Sequence, residues 1–137
     1  MKKVIKYGLI VIAIIIVAMV IVFNIAVRNM KEIMEENPLE TVDFSRVKDG
    51  VYTGVFDARI VSAEVEVTIL EGRMTNVKLL SHNHGKGYGA DDILPVVLEN
   101  QTLEVDLITG ATGSSKVVLK AIENALRKGL DENTKDQ

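Results

Sequence analysis

The pattern of hydrophobic and polar positions divides the chain into a long apolar block, a polar stretch and a region of mixed pattern. Residues 7–27 carry no formal charge and are mostly Ile, Val, Ala, Leu and Met. A helix of that length rises about 30 Å, which matches the hydrocarbon core of a bilayer. No polar face interrupts the run, which disfavours a buried helix of a soluble domain. We therefore expect residues 1–27 to form a transmembrane anchor, with residues 7–27 in contact with membrane lipid.

Charges beside the apolar block predict its orientation. Lys2, Lys3 and Lys6 precede it, so the positive-inside rule places the N-terminus in the cytoplasm and the C-terminal domain outside the cell membrane. Arg28 and Lys31 follow the block and reduce this bias slightly. A cleaved signal peptide is the alternative, but its apolar region is usually about 7–15 residues long and ends at small residues. The longer run here favours an uncleaved, single-pass anchor.

Residues 28–48 are predicted to be a polar connector that spaces the domain from the membrane. Apolar residues near its start can continue the helix for two turns. Asn37 and Pro38 predict the end of that helix, because the residue before a proline avoids the helical region.

Alternating positions predict an antiparallel meander within a domain over residues 49–130. The clearest strand runs from Ile60 to Leu70, where apolar residues at every second position indicate one buried and one wet face. A turn at Glu71 and Gly72 follows, and Val77 and Leu79 in the next strand are expected to face the core. The predicted strands cover residues 51–56, 60–70 and 74–80.

Two amphipathic segments predict helices. Residues 91–100 form a short one, which Pro95 should delay or kink. Residues 114–128 form a stronger one, with Ser114 or Ser115 as its cap and Gly129 at its end. Its core face is expected to hold Val117, Val118, Ala121, Ile122, Ala125 and Leu126, and its solvent face Lys120, Glu123, Asn124, Arg127 and Lys128. The predicted fold class is α+β: a small antiparallel sheet with helices packed on one face, preceded by one N-terminal transmembrane helix and followed by a polar tail over residues 131–137.

Composition excludes several functions. The chain has no cysteine, so disulfides, thiolate metal sites and cysteine nucleophiles are ruled out. Its net charge is −3 without a long basic run, which argues against nucleic acid as a partner. No triad or acid–base pair stands out, so no catalytic residue is assigned.

One stretch, residues 106–115, carries the chemistry. It is a loop of small residues that enters a helix, and small residues let a ligand approach the backbone closely. The free N–H groups and the dipole at a helix start favour an anion such as phosphate. Hydroxyls of Thr109, Thr112 and Ser114 can bind that phosphate or be esterified by it. A tight turn whose hydroxyls serve only the backbone is equally compatible with the residues alone.

The same stretch resembles the flavinylation motif D-x-x-[ST]-G-A-T-x-[ST] of the FMN-binding domain family. Residues 49–54 also resemble that family's D-G-x-Y-x-G opening strand, so the resemblance covers residues 49–129. The family includes the peripheral FMN subunits of the Na⁺-pumping NADH:quinone oxidoreductase and of Rnf complexes, and small extracytoplasmic flavoproteins. The motif positions are Asp106, Thr109, Gly110, Ala111, Thr112 and Ser114, with Ser115 beside them.

The resemblance implies that FMN is held covalently, as a phosphoester on Thr112. It implies two partners: an FAD:protein FMN transferase that matures the protein, and a membrane redox partner such as a quinone-linked dehydrogenase or respiratory complex. The expected function is electron transfer in a respiratory or electron-export chain, without independent turnover of a substrate. The alternative is a non-catalytic FMN-binding subunit or a redox-sensing module of a membrane complex.

The stretch 81–90 departs from the family pattern. Its glycines can let the flavin ring lie against the backbone, and the ring contacts expected there are His82, His84, Lys86 and Tyr88. A plain surface loop remains an alternative. The two histidines are also half of a possible metal site; because the chain has no cysteine, the other ligands would have to be carboxylates such as Asp91 or Asp92, and no metal is predicted. The glycine spacing does not fit a dinucleotide-binding loop.

Overall fold

A computed structural model describes residues 1–83 and 89–135. The chain divides into two compact units, Met1–Glu36 and Asn37–Gln137. The first unit is a single helix, α1, Lys2–Glu36. Its segment Lys3–Glu36 is long and apolar enough to cross a membrane, which is compatible with a single-pass membrane protein. The helix ends immediately before Asn37 and Pro38, as the sequence predicts.

The second unit is a three-stranded antiparallel sheet with helices, which confirms the α+β class. The sheet order is β1-β2-β3, and two short 3-10 turns flank the sheet region. The elements are a 3-10 turn at Phe44–Arg46, β1 Gly50–Asp57, β2 Ser62–Leu70, β3 Arg73–Asn83, a second 3-10 turn at Ala90–Asp92, α2 Ile93–Asn100 and α3 Thr112–Lys135. Pro95 lies in the first turn of α2, where its missing N–H is not needed by the helix.

The core lies between β2 and α3. Alternate residues of β2 are buried, and Val65 and Val67 have no exposed surface. The predicted core face of α3 is confirmed, since all six of its members are 0% exposed. Helix α2 packs against β3, but Val77 and Leu79 are only half-buried there.

Strand β3 runs three residues beyond its predicted end, and its pairing with β2 contains two irregularities. The register shifts between Thr68 and Ile69 and again between Glu64 and Val65. Each shift inserts one extra residue into β3. The insertions keep Val77, Leu79 and His82 on the side of the sheet that faces the helices.

The outer edge of β3 has one unusual partner. The side-chain amide of Gln101, the residue immediately after α2, donates to the carbonyl of Met74 at 2.9 Å and accepts from its N–H at 2.8 Å. The amide thereby reproduces the pairing that a neighbouring strand would make.

Helix α3 differs from its prediction at both ends. It begins at Thr112 and continues past Gly129 to Lys135, so the expected helix end at Gly129 is wrong. Gly129 instead permits close packing, because a Cβ there would lie 2.4 Å from a methyl carbon of Val47 and 2.8 Å from the ring of Tyr52. Gly54 does the same in β1, where a Cβ would lie 1.9 Å from the backbone oxygen of Ala121.

The connector contributes to the second unit. Residues 28–36 continue α1, whereas Val42, Phe44 and Val47 are buried in the domain. This packing covers part of α3 that the sequence assigns to solvent. Lys120 is 8% exposed and Glu123 is 0% exposed, so the prediction of a solvent face is wrong at these two positions.

Candidate flavin-attachment site

The direction of α3 places its first turn at one end of the sheet. Asn124 donates to the carbonyl of Val55 at 2.8 Å, and Lys128, four residues later, donates to the carbonyl of Thr53, two residues earlier. The helix therefore runs antiparallel to β1. Followed back toward its N-terminus, α3 begins at the end of the sheet where β1 ends, β2 starts and β3 ends.

A tight turn delivers the chain to this helix start. The N–H of Ala111 donates to the carbonyl of Ile108 at 3.0 Å, and Gly110 has a φ of +82°. Positive φ at the third residue is typical of a type II turn, in which glycine is strongly favoured. A Cβ at Gly110 would meet nothing within 4 Å, so the backbone conformation, and not crowding, favours glycine here.

The first turn of α3 exposes hydrogen-bond donors. The N–H of Ser115 donates to the carbonyl of Ala111 at 2.8 Å, which is the first i→i−4 bond of the helix. Ala111 therefore occupies the cap position, and the prediction of a Ser114 or Ser115 cap is wrong. Within the described part of the chain, the N–H groups of Thr112, Gly113 and Ser114 have no acceptor. Such groups attract anions.

The hydroxyls of the motif fall into two classes. Thr109 and Thr112 are exposed, whereas Ser114 is 3% and Ser115 is 0% exposed. A modifying enzyme can therefore reach the two threonines and not the two serines. The Oγ of Ser115 is buried without a hydrogen-bond partner among the described residues, and buried hydroxyls are normally paired. The exposed hydroxyl of Thr112, the N–H groups without acceptors and the unpaired Oγ of Ser115 together fit a phosphate group bound at the start of α3.

The remaining predicted contacts have different outcomes. Asp106 is exposed in the loop before the turn, and Ala111 is buried. His82 is half-buried near the end of β3, paired with Ala63 in the register. His84, Lys86 and Tyr88 lie outside the described residues. Within residues 1–83 and 89–135, no group of three or more His, Asp or Glu side chains could hold a metal ion.

The structure adds one feature that the sequence did not indicate. An open groove of about 470 Å³ lies between β3 and α2. Asp91, at its border, belongs to the second 3-10 turn, which also packs against α3. In the sequence, only the spacing of apolar residues in β3 and in α2 could have indicated this groove. The groove is lined by Val77, Leu79, Asp91, Leu94, Pro95 and Leu98.

Comparison with known proteins identifies the family of this region. The family model for the FMN-binding domain matches residues 62–127, a range that contains β2, β3, the groove, the turn and most of α3. An uncharacterized protein of Treponema pallidum (strain Nichols) is 25% identical over 87 residues, which cover 61% of this chain and 24% of that protein. The chain thus spans a small part of that relative's length. No solved structure matches the chain. The resemblance inferred from the motif is confirmed, and residues 62–127 belong to the FMN-binding domain family.

Proposed function

We propose that this protein is a membrane-anchored flavoprotein that carries FMN as a phosphoester on Thr112 and transfers electrons outside the cell membrane. One observation carries the proposal: Thr112 is exposed at the first position of α3, in the G-A-T triplet of a chain that matches the FMN-binding domain. Its hydroxyl lies beside N–H groups that have no acceptor in the described structure.

Attachment requires an accessible oxygen at Thr112. The Oγ1 forms a bond to the phosphorus of the FMN half of FAD, the pyrophosphate bond breaks, AMP leaves, and the hydroxyl proton passes to solvent or to a base of the transferase. This chain supplies the nucleophile and the N–H groups that offset the phosphate charge. Burial of Ser114 and Ser115 favours Thr112 over these two hydroxyls as the acceptor. Thr109 is exposed as well, but it is the second residue of the turn and lies outside the helix start.

Once attached, FMN supplies one- and two-electron redox chemistry. The groove between β3 and α2 offers apolar side chains, such as Val77 and Leu79, for the flavin ring. Asp91 at its border is a negative group that disfavours added negative charge on a neighbouring ring. The half-buried His82, on the helix-facing side of β3, is a further candidate for ring contact.

Helix α1 supplies the anchor in this proposal. A covalent link suits an extracytoplasmic flavin, because a diffusible one would be lost from the cell. Maturation requires an FAD:protein FMN transferase, and electrons pass to or from a membrane redox partner. A stoichiometric membrane protein that co-purifies in detergent would favour the alternative, a subunit or redox-sensing module of a larger complex.

Replacement of the two exposed threonines tests the attachment site. Thr112→Ala, coexpressed with a competent transferase, should fold and lack covalent flavin, whereas Thr109→Ala should retain some. Both changes remove an exposed hydroxyl, which alters the free energy of unfolding by less than about 0.5 kcal/mol, so each controls for the other. Flavin fluorescence after denaturing electrophoresis and peptide mass spectrometry give the readout. Full fluorescence in Thr112→Ala would contradict the assignment, and a flavin that leaves the unmutated protein on denaturation would contradict covalent attachment.

A further inference from the structure

Helix α2 forms one wall of the groove, and its buried side holds it to the domain. Ile93 and Val97, one turn apart, are 0% exposed, and Gln101 follows four positions later. On the neighbouring side of the helix, Leu94 and Leu98 are half-buried and line the groove. Because α2 has only eight residues, it offers few side chains for packing, and contacts at its ends matter for its position.

The side-chain amide of Gln101 connects the end of α2 to β3. Its nitrogen donates to the carbonyl of Leu98 at 2.6 Å and to the carbonyl of Met74 at 2.9 Å, and its oxygen accepts from the N–H of Met74 at 2.8 Å. Both N–H donors of the amide are therefore used. Leu98 lies in the last turn of α2, and Met74 is the second residue of β3. One side chain thus joins a groove-lining turn of the helix to the strand opposite.

The backbone of Gln101 is in a conformation that other residue types adopt more easily. Its φ of 53° and ψ of 38° are left-handed, and glycine or asparagine is the usual residue in this conformation after a helix. The backbone N–H of Gln101 donates to the carbonyl of Val97 at 2.8 Å, which fixes the conformation. Glutamine is strained there. Its pairing with Met74 is a contact that glycine, or the shorter asparagine, could not make.

The groove begins three residues from this connection on both of its walls. Val77 follows Met74 by three positions in β3, and Leu98 precedes Gln101 by three positions in α2. The two walls therefore run in opposite chain directions away from the connection. Beyond the N-terminal end of α2, the 3-10 turn Ala90–Asp92 packs against α3. Hydrogen bonds thus fix one end of the α2 wall, and packing against α3 fixes the other.

We propose that Gln101 is a positioning residue whose amide holds α2 against β3 and so fixes the width of the groove for the flavin ring. This role rests on the proposed function, which assigns the ring to the groove. Without the amide contact, Ile93 and Val97 still hold the middle of α2, but its C-terminal end is free to move away from β3. Leu98 moves with that end, and the ring loses apolar contact on one side.

Amide hydrogen exchange of the full chain in detergent, before any flavin is attached, tests the hold on α2. Gln101→Met keeps the length of the side chain and loses its hydrogen bonds. Gln101→Asn keeps an amide that is too short to reach Met74, and it suits the left-handed backbone, so it serves if the methionine variant fails to fold. Loss of the two bonds to Met74 corresponds to about a tenfold change in an equilibrium constant. The amides of α2 should therefore exchange about tenfold faster in both variants.

Asn100→Ala is the matched control in the same helix. The exposed Asn100 side chain donates to the carbonyl of Val96 at 2.8 Å, within α2, so its loss leaves the contact with β3 intact. Exchange in this variant should stay close to that of the unmutated protein.

The midpoint potential of the attached flavin is the second measurement. Apolar walls and the nearby Asp91 disfavour negative charge on a reduced ring, so a loosened groove should raise the potential. We expect a rise of about 30 mV, a tenfold change for a two-electron couple, in both Gln101 variants and no rise in Asn100→Ala.

The outcomes separate the two parts of the proposal. Equal exchange of the α2 amides in the Gln101 variants and in Asn100→Ala would overturn the hold on α2. Faster exchange with an unchanged potential would show that Gln101 stabilises the helix alone and would overturn its role toward the ring. Faster exchange in a chain that never acquires covalent flavin would refute the proposed function, and the role toward the ring with it, while the hold on α2 would stand.

Discussion

The close approach of α3 to β1 at Gly54 gives the sharpest prediction. A Cβ added there would lie 1.9 Å from the backbone oxygen of Ala121, 2.5 Å from the backbone nitrogen of Ala125 and 2.9 Å from its Cβ. Two of these three atoms belong to the helix backbone, so no side-chain rotation can relieve the overlap. Gly54→Ala must move α3 away from the sheet, and because six apolar side chains of α3 are 0% exposed, the core on that face of the sheet loosens.

We expect Gly54→Ala to lower the free energy of unfolding by about 3 kcal/mol, at the upper end of the range for overpacked sites. For a domain of this size, that corresponds to a fall in melting temperature of about 12–24 °C. Gly50→Ala is the matched control in the same strand. The three nearest atoms to its Cβ all belong to the Tyr52 side chain and lie at 3.0 Å or more, so α3 need not move and the melting temperature should fall by a few degrees at most.

The measurement is thermal unfolding of the full chain in detergent, followed by the near-ultraviolet signal of the buried Tyr52, with coexpressed transferase to score flavin in the folded fraction. Loss of covalent flavin should parallel loss of fold, because the same helix presents Thr112. Equal melting temperatures for the two variants would refute the claim that this glycine is required by the packing of α3.

Three further results are expected. Burial raises the pKa of the Glu123 carboxyl, but hydrogen bonds from Lys120, the Glu40 N–H and Arg127 outweigh burial and hold the pKa below its ordinary value. The resulting stabilisation is present above about pH 4.3 and is lost as pH falls through the lower folded pKa. The difference in melting temperature between the unmutated protein and Glu123→Gln should therefore narrow on acidification, and a difference that widens would contradict this reasoning. Protease added outside intact cells should remove the domain after α1, and a protected C-terminal tag beside a digested external control would reverse the orientation. Asp91→Asn should raise the flavin midpoint potential by about 30 mV or more, the equivalent of about 1.4 kcal/mol for a two-electron couple, and an unchanged potential would place the ring elsewhere.

Periodic burial was predictable from the sequence wherever one face of an element meets one partner. The alternation in β2 and the apolar stripe of α3 are of this kind, and both are confirmed. The two ends of α3 were not predictable in this way, because residue types that usually mark a helix end serve tertiary packing here. Gly129 has the residue type of a helix end, but it lies where the helix contacts Val47 and Tyr52. Nothing in the local pattern distinguishes these two uses of glycine.

Charged residues of α3 gave the most instructive error. Lys120 and Glu123 follow the sequence pattern of a solvent-exposed helix face. Both side chains would be exposed to solvent if the domain began at β1. The connector covers them, and their burial depends on contacts with residues about 80 positions earlier in the chain, Pro38 and Glu40. At the candidate site, the motif predicts the hydroxyls as one set, and the structure separates the exposed Thr109 and Thr112 from the buried serines. The ring contacts remain predictions.

The pairing of Gln101 with Met74 has a consequence for neighbouring molecules. In the proposed function, α1 anchors the protein in a membrane, where diffusion in two dimensions brings copies together often. A strand edge with free N–H and C=O groups is then a template for strand exchange between copies and for aggregation. Because one side-chain amide already occupies both outward groups of Met74, another strand can pair there only after displacing it. Gln101 thus protects the start of the β3 edge of the three-stranded sheet without an additional strand.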